Sequence, residues 1–223
     1  MSLDVSGDAE RARGYFERLA PDYDRAFRGH GKGLLNAAVN RWFRGPTFAQ
    51  RMRVLEEVFA DLGLAGKSVL DLGCGSGQVA VLAALDGARV HAVDLAPSML
   101  AIAREAAARA GVVEAVTFQE ADIASVPLPA ADVTLLVGVI EYYRDFDGLI
   151  GRAAAVTRQT LVIAHTTRVA YRMVLRKLLA RAQRLNLYYH PLPAVAAAAA
   201  RRGFTLRAEH RRHAFSVLVF DRA

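Results

Sequence analysis

Cysteine is almost missing from this chain. Cys74 stands alone in 223 residues, which excludes an internal disulfide and any metal cluster built on cysteines. No apolar run approaches the roughly 18–20 residues needed to span a bilayer. Near the N-terminus, Asp4, Asp8, Glu10 and Arg11 interrupt any stretch that would read as a signal peptide. These gaps predict a cytoplasmic protein with no metal site. Acidic residues are missing in a more local way: none occurs from Gly148 to Ala208, a stretch that holds eleven Arg and Lys. The net charge of +7 is therefore concentrated in the C-terminal part, and the first 147 residues are net acidic. Arginine-rich coding alone can produce such a bias. The functional reading is a C-terminal half facing an anionic substrate, an anionic surface or a nucleic acid.

What is present is organised around Lys67 to Gly77, KSVLDLGCGSG. Ser68–Leu72 reads as a buried strand, Gly73-Cys74-Gly75-Ser76-Gly77 as a tight turn and Gln78–Leu85 as a helix. Glycines let a backbone approach a ligand closely, and a helix start offers unpaired N–H groups. The spacing is G-x-G-x-G with Asp71 two residues ahead, which departs from the G-x-G-x-x-G of dinucleotide sites. An acid just before the turn repels a pyrophosphate and suits an ammonium group. Seventeen residues beyond Gly77, a second strand ends in Asp94, the place where a Rossmann-like unit holds ribose hydroxyls. Ammonium plus ribose without diphosphate points to S-adenosylmethionine.

Four blocks in order, VLDLGCGSG, VHAVDLAPSMLAIAR, FQEADIASVPLP and ADVTLLVGVIEYYRD, resemble the class I S-adenosylmethionine-dependent methyltransferases. The likeness runs from about Lys67 to Asp147, and Tyr15 to Asp24 is similar to the family's lid. It implies an α/β fold: a Rossmann-like three-layer sandwich with a seven-stranded, mostly parallel sheet and an antiparallel last strand. A helical lid over 1–62 and a helical arm at about 166–192, between strands five and six, complete one domain of 1–223. The resemblance further implies that Asp71, Gly73, Gly75, Gly77 and Asp94 hold the cofactor. Tyr15 and Tyr23 would reach its carboxylate end or methyl, and Asp122 or a neighbouring N–H its adenine amine. Ile123 and Leu95 would sandwich the ring, with Val137 at the end of strand four nearby. S-adenosylhomocysteine would be the product. For each of these side chains a plain packing or loop role is the competing reading.

Helices are expected over Glu10–Leu19, ended by Pro21, and over Leu34–Phe43 and Phe48–Leu62, with residues 1–9 loose and Gly29–Gly33 a turn. Strand four, Ala131–Val137, leads to Glu141 and Tyr142 at the carboxyl end of the sheet, where such folds bind ligands. Many members of the family carry a histidine where Tyr142 stands, so the nearest imidazole base is missing from this loop. Strand five, Thr160–Ala164, places His165 at its tip, as a candidate base or as a strand-end histidine bonded to a carbonyl. Arg168–Leu185 patterns as a basic amphipathic helix, suited to solvent, to an acidic substrate or to peripheral contact with a membrane. Arg168, Tyr171, Tyr142 and the loop Tyr188-Tyr189-His190 fall at the expected acceptor end. His190 is the second candidate base.

Methyl transfer from a sulfonium is an in-line displacement that needs alignment and a dry cavity more than acid–base help. A hydroxyl acceptor also needs a proton acceptor. Lid and arm favour a small-molecule acceptor, anionic or aromatic, methylated on O or N. The layout is similar to that of magnesium-protoporphyrin O-methyltransferases, which esterify a carboxylate on a membrane-associated ring. No Asn-Pro-Pro-Tyr-type block follows strand four, which disfavours DNA bases as acceptors. An RNA methyltransferase using the basic half, and a cofactor-binding partner protein without turnover, remain the readings from other classes.

Overall fold

The computed structural model describes residues 5–27, 45–166 and 185–223. The turn expected at Gly29–Gly33, the helix expected at Leu34–Phe43 and the arm helix from Arg168 to 184 lie outside the described residues. Seven strands form one sheet in the order β3-β2-β1-β4-β5-β7-β6. They are β1 Ser68–Leu72, β2 Arg89–Asp94, β3 Val116–Glu120, β4 Ala131–Val137, β5 Thr157–Thr166, β6 Phe204–Arg211 and β7 Phe215–Arg222. All run parallel except β7, which pairs antiparallel with β5 and β6. This is the Rossmann-like sheet expected from the sequence.

Buried parallel strands need apolar side chains on both faces, and β1 supplies them by simple alternation. Val69 faces one core, shared with Leu55, Phe59, Ala80 and Val217. Leu70 and Leu72 face the other, shared with Ile150, Ile163, Val195 and Phe220. The first core is covered by α2 (Gly45–Leu62) and α3 (Gln78–Leu85), the second by α5 (Phe146–Val156) and α6 (Leu192–Ala200). Helix α4 (Pro97–Arg109) follows β2, with Pro97 at its first turn, where a missing N–H costs nothing. Strand order reverses at β1, between β2 and β4, so the carboxyl ends of these strands frame a crevice.

Two boundaries depart from expectation. Helix α1 runs from Val5 to Phe27, through Pro21 and into residues expected to be loose. A proline removes one helical hydrogen bond without forbidding the helix, and packing holds this one: buried Ala20 and Phe16 sit against Ala96 and Met99 of the α4 region. At the other end Asp8 and Ala9 are buried. Strand β5 extends through Thr166 because β7 pairs with it residue by residue, from Thr160↔Asp221 to Thr166↔Phe215. His165 is thus paired within the ladder, opposite Ser216, one residue short of the end of the strand.

Candidate functional site

The glycine turn folds back over β2. The N–H groups of Gly73 and Cys74 both donate to the Val93 carbonyl, at 2.8 and 3.1 Å. Gly73 has φ +75°, and a Cβ there would fall 2.0 Å from Val139 Cγ2, so no other residue fits the approach of the two loops. Asp94, at the end of β2, ties the arrangement together. Its Oδ2 accepts the Gly75 N–H at 2.8 Å, and its Oδ1 accepts the Ala96 N–H at 2.9 Å. Burial pushes its carboxyl above the usual range, while N–H donors from Ala96, Gly75 and Leu95 pull the other way. Asp71 lies beneath the turn, 1% exposed, with Oδ2 unpartnered among the described residues. Burial, then the charge of Asp94, pushes its pKa up to about 7 against a lowering hydrogen bond from the Ala80 backbone.

A cleft opens above this turn, at the carboxyl ends of β1, β2 and β4. Of the residues singled out from the sequence, Gly73, Gly75, Asp94, Leu95, Ile123 and Tyr142 line it. Leu95 and Ile123 form the apolar part of the wall on the β2–β3 side, as a ring-binding slot requires. Phe16 of α1 closes the cleft from above and meets Tyr142 edge-to-face at 5.4 Å.

Other singled-out residues stand elsewhere. Asp71 is buried and does not line the cleft. Gly77 packs against Ala103 of α4. Beside the cleft, Gly138, Val139, Ala121 and Tyr143 form the wall where Val137 and Asp122 were expected. Asp122 instead accepts the Ala124 N–H at 2.9 Å and the Tyr143 hydroxyl at 3.4 Å. Tyr15 packs on Phe16, with ring centres 5.1 Å apart. The side chain of Tyr23 and all of Arg168 and Tyr171 lie outside the described residues.

The two candidate bases are buried away from the cleft wall. His190 stacks on Phe146 at 4.1 Å, and its Nε2 faces the carbonyls of Ile140 and Tyr143 at 3.1 and 3.0 Å. Two carbonyl acceptors require the proton on that nitrogen, so the ring ties the loop after β4 to the segment before α6. His165 is 2% exposed, and burial holds its pKa below the ordinary value. Its Nε2 has no partner among the described residues. Tyr188 gives its hydroxyl to Asp8 and its N–H to the Glu141 carbonyl; Tyr189, half-buried next to it, is absent from the cleft wall.

Sequence reasoning missed Arg51. It stands on α2, and its Nη1 lies only 2.9 Å from where a Cβ on Gly138 would be. Gly138 lines the cleft, so the guanidinium reaches the end of β4 over a glycine. It lies over the Phe48 ring at 5.5 Å, and its buried Nε has no hydrogen-bond partner among the described residues. A half-buried cation left in that state suits an anionic ligand group. Among the described residues no group of three His, Cys, Asp or Glu is placed to hold a metal, and no helix is long and apolar enough to cross a membrane.

Residues 69–160 match the family model described as a methyltransferase domain. The chain is 31% identical over 128 residues to the ubiquinone biosynthesis O-methyltransferase of Xanthomonas euvesicatoria pv. vesicatoria (strain 85-10), covering 55% of this chain and 54% of that protein. It is 36% identical over 107 residues to the malonyl-[acyl-carrier protein] O-methyltransferase of Serratia marcescens, covering 47% and 40%. The chain therefore spans about half the length of these curated relatives. Its fold is similar to that of magnesium protoporphyrin IX methyltransferase from Synechocystis PCC 6803 with bound SAH, with a TM-score of 0.78, 22% identity and coverage of 97% and 100%. Taken with the glycine turn, Asp94 and the strand order, these matches show that residues 69–160 form a methyltransferase domain and that the chain is similar to the class I S-adenosylmethionine-dependent methyltransferases.

Proposed function

We propose that this protein binds S-adenosylmethionine in the cleft above the glycine turn and methylates an oxygen or nitrogen atom of a small-molecule acceptor. The observation that carries the reading is the set of chemically different walls around one cleft. Asp94 offers carboxylate oxygens for ribose hydroxyls at one point, and Leu95 with Ile123 offers an apolar slot for adenine. Behind the wall residue Gly138, Arg51, whose Nε has no hydrogen-bond partner among the described residues, would take the carboxylate of the cofactor's amino acid. Asp71, close to the turn, would favour the ammonium group in its ionised form, and a bound cation would in turn favour loss of its proton. The residues fit the cofactor on these counts.

When bound, S-adenosylmethionine supplies a methyl group on a sulfonium, whose transfer consumes a positive charge. The chain's part is to align the reactants and exclude water. Phe16 and Tyr142 form an aromatic cover over the cleft, which supports an acceptor with an apolar or aromatic body. Both named curated relatives are O-methyltransferases, which supports oxygen as the accepting atom. An anionic acceptor is supported by the basic run without Asp or Glu from Gly148 to Ala208. The amphipathic pattern over 168–185 supports peripheral contact with an anionic surface.

The test is transfer from methyl-labelled S-adenosylmethionine by purified protein into an extract of the native host, separated into small-molecule, lipid and macromolecular fractions. The reading predicts label in the first two. Label in RNA or protein overturns the acceptor class, and cofactor binding without transfer to any fraction points to a binder without turnover.

A further inference from the structure

Asp8 is 6% exposed on the first turns of α1, a burial that a carboxylate tolerates only with donors around it. Its donors come from distant parts of the chain. Its Oδ2 accepts the Arg144 N–H at 3.2 Å, from the loop that follows the cleft residues Tyr142 and Tyr143. Its Oδ1 accepts the Tyr188 hydroxyl at 3.0 Å and the Asn186 amide at 3.3 Å, from the segment leading into α6. Arg11, on the same helix, stands 3.8 Å from Oδ1.

One turn further on, α1 lays Ala12, Arg13 and Phe16 across the cleft. On the far rim, Glu17 accepts the Ser98 N–H at 3.1 Å, and Arg13 faces Glu120 at 3.5 Å. The helix is thus a bar across the opening, fastened on both sides. The Arg13–Glu120 pair is half exposed on both partners, and such pairs hold little. The buried, charge-assisted bonds of Asp8 are the stronger fastening.

We infer that Asp8 is a latch that couples the seating of α1 over the cofactor cleft to the seating of residues 186–188. This rests on the cleft being the cofactor site. With the latch formed, the cofactor is retained under α1. With it broken, α1 lifts at its N-terminal end and cofactor exchange speeds up. Because one carboxylate serves both segments, loosening 186–188 also loosens the cover, a coupling that runs in both directions.

The test measures release of labelled S-adenosylhomocysteine from wild type, Asp8→Ala, Asp8→Asn and Tyr188→Phe during a chase with unlabelled ligand. Hydrogen exchange of α1 is followed in parallel. Asp8→Ala should release the ligand at least about tenfold faster, the factor that corresponds to one charge-assisted bond. Amides of α1 should lose protection while those of β1, β4 and β5 keep it. Asp8→Asn retains an acceptor oxygen and should recover part of the retention. Tyr188→Phe, which keeps the ring, should be intermediate, and the double variant should release no faster than Asp8→Ala alone. Unchanged release and unchanged α1 protection in folded Asp8→Ala and Tyr188→Phe overturn the latch. Wild type that binds no S-adenosylhomocysteine overturns the cofactor reading instead. The latch then stands or falls on whether Tyr188→Phe exposes α1 amides in the free protein.

Discussion

Gly77 and Ala103 touch at the start of α3: a Cβ on Gly77 would lie 2.6 Å from the Ala103 Cβ and 3.0 Å from its Cα. This glycine therefore serves the packing of α3 against α4 and does not line the cleft. Its φ of +75° adds a second constraint. Gly77→Ala should cost about 1–2 kcal/mol for the left-handed backbone and about 1–3 kcal/mol for overpacking. Urea unfolding should show a loss in that combined range. A loss under 1 kcal/mol would mean that α4 yields freely.

Asp94 binds the turn as well as, in our reading, the ribose. Asp94→Ala removes the acceptor of both Gly75 and Ala96 N–H groups. It should weaken S-adenosylhomocysteine binding by roughly 1–3 kcal/mol and lower stability by a similar amount. Asp94→Asn keeps one oxygen and should lose less of each. Titration calorimetry with unchanged affinity in Asp94→Ala would remove the ribose assignment.

Asp71 makes stability depend on pH in a direction that can be worked out. Its carboxyl has an ordinary value of 3.8 in the unfolded chain and about 7 in the fold, raised by burial and then by Asp94. Between those values the folded state holds the proton that the unfolded state has lost. Its contribution is therefore fully present below about pH 4 and falls as pH rises toward 7, with a slope of up to about 1.4 kcal/mol per pH unit. Asp71→Asn removes this slope. Unfolding free energies from pH 5 to 8 should fall more steeply for wild type than for the variant, and parallel curves would show that Asp71 does not titrate there.

The sheet, the glycine turn and Asp94 were legible because each is written in consecutive residues. A strand, a turn and a helix start specify the backbone locally, and Leu95 and Ile123 inherit their places from the strand ends. The latch was not legible, because Asp8 looks like one more acid in a polar start. Only the fold brings Arg144, Asn186 and Tyr188 to it. Pro21 misled for a related reason: a local breaker was outweighed by Phe16 and Ala20 packing on Met99. Strand β5 runs past its expected bounds through His165 to Thr166, because its pairing with β7 depends on residues about fifty positions later. Arg51 had no signal of its own, since Arg53 lies two residues away on the same helix. What distinguishes it is the bare backbone of Gly138.

That distinction gives the sharpest test of the cleft. A guanidinium over Gly138, whose Nε has no partner among the described residues, is held in a costly state that an anion relieves. If the anion is the cofactor's carboxylate, Arg51→Ala should weaken S-adenosylhomocysteine binding by about 1.5–3 kcal/mol, the usual worth of a hydrogen bond to a charged group. Arg51→Lys should restore only part of this, because a point charge does not replace a planar fork. Methylthioadenosine, which lacks the amino-acid carboxylate, should bind wild type and Arg51→Ala equally. Stability should change little, since the stacking lost on Phe48, worth about 0.5–1 kcal/mol, is set against the unsatisfied donor removed with it. Should S-adenosylhomocysteine affinity stay unchanged while the KM for the acceptor rises, Arg51 faces the acceptor and the anionic group in the cleft belongs to it.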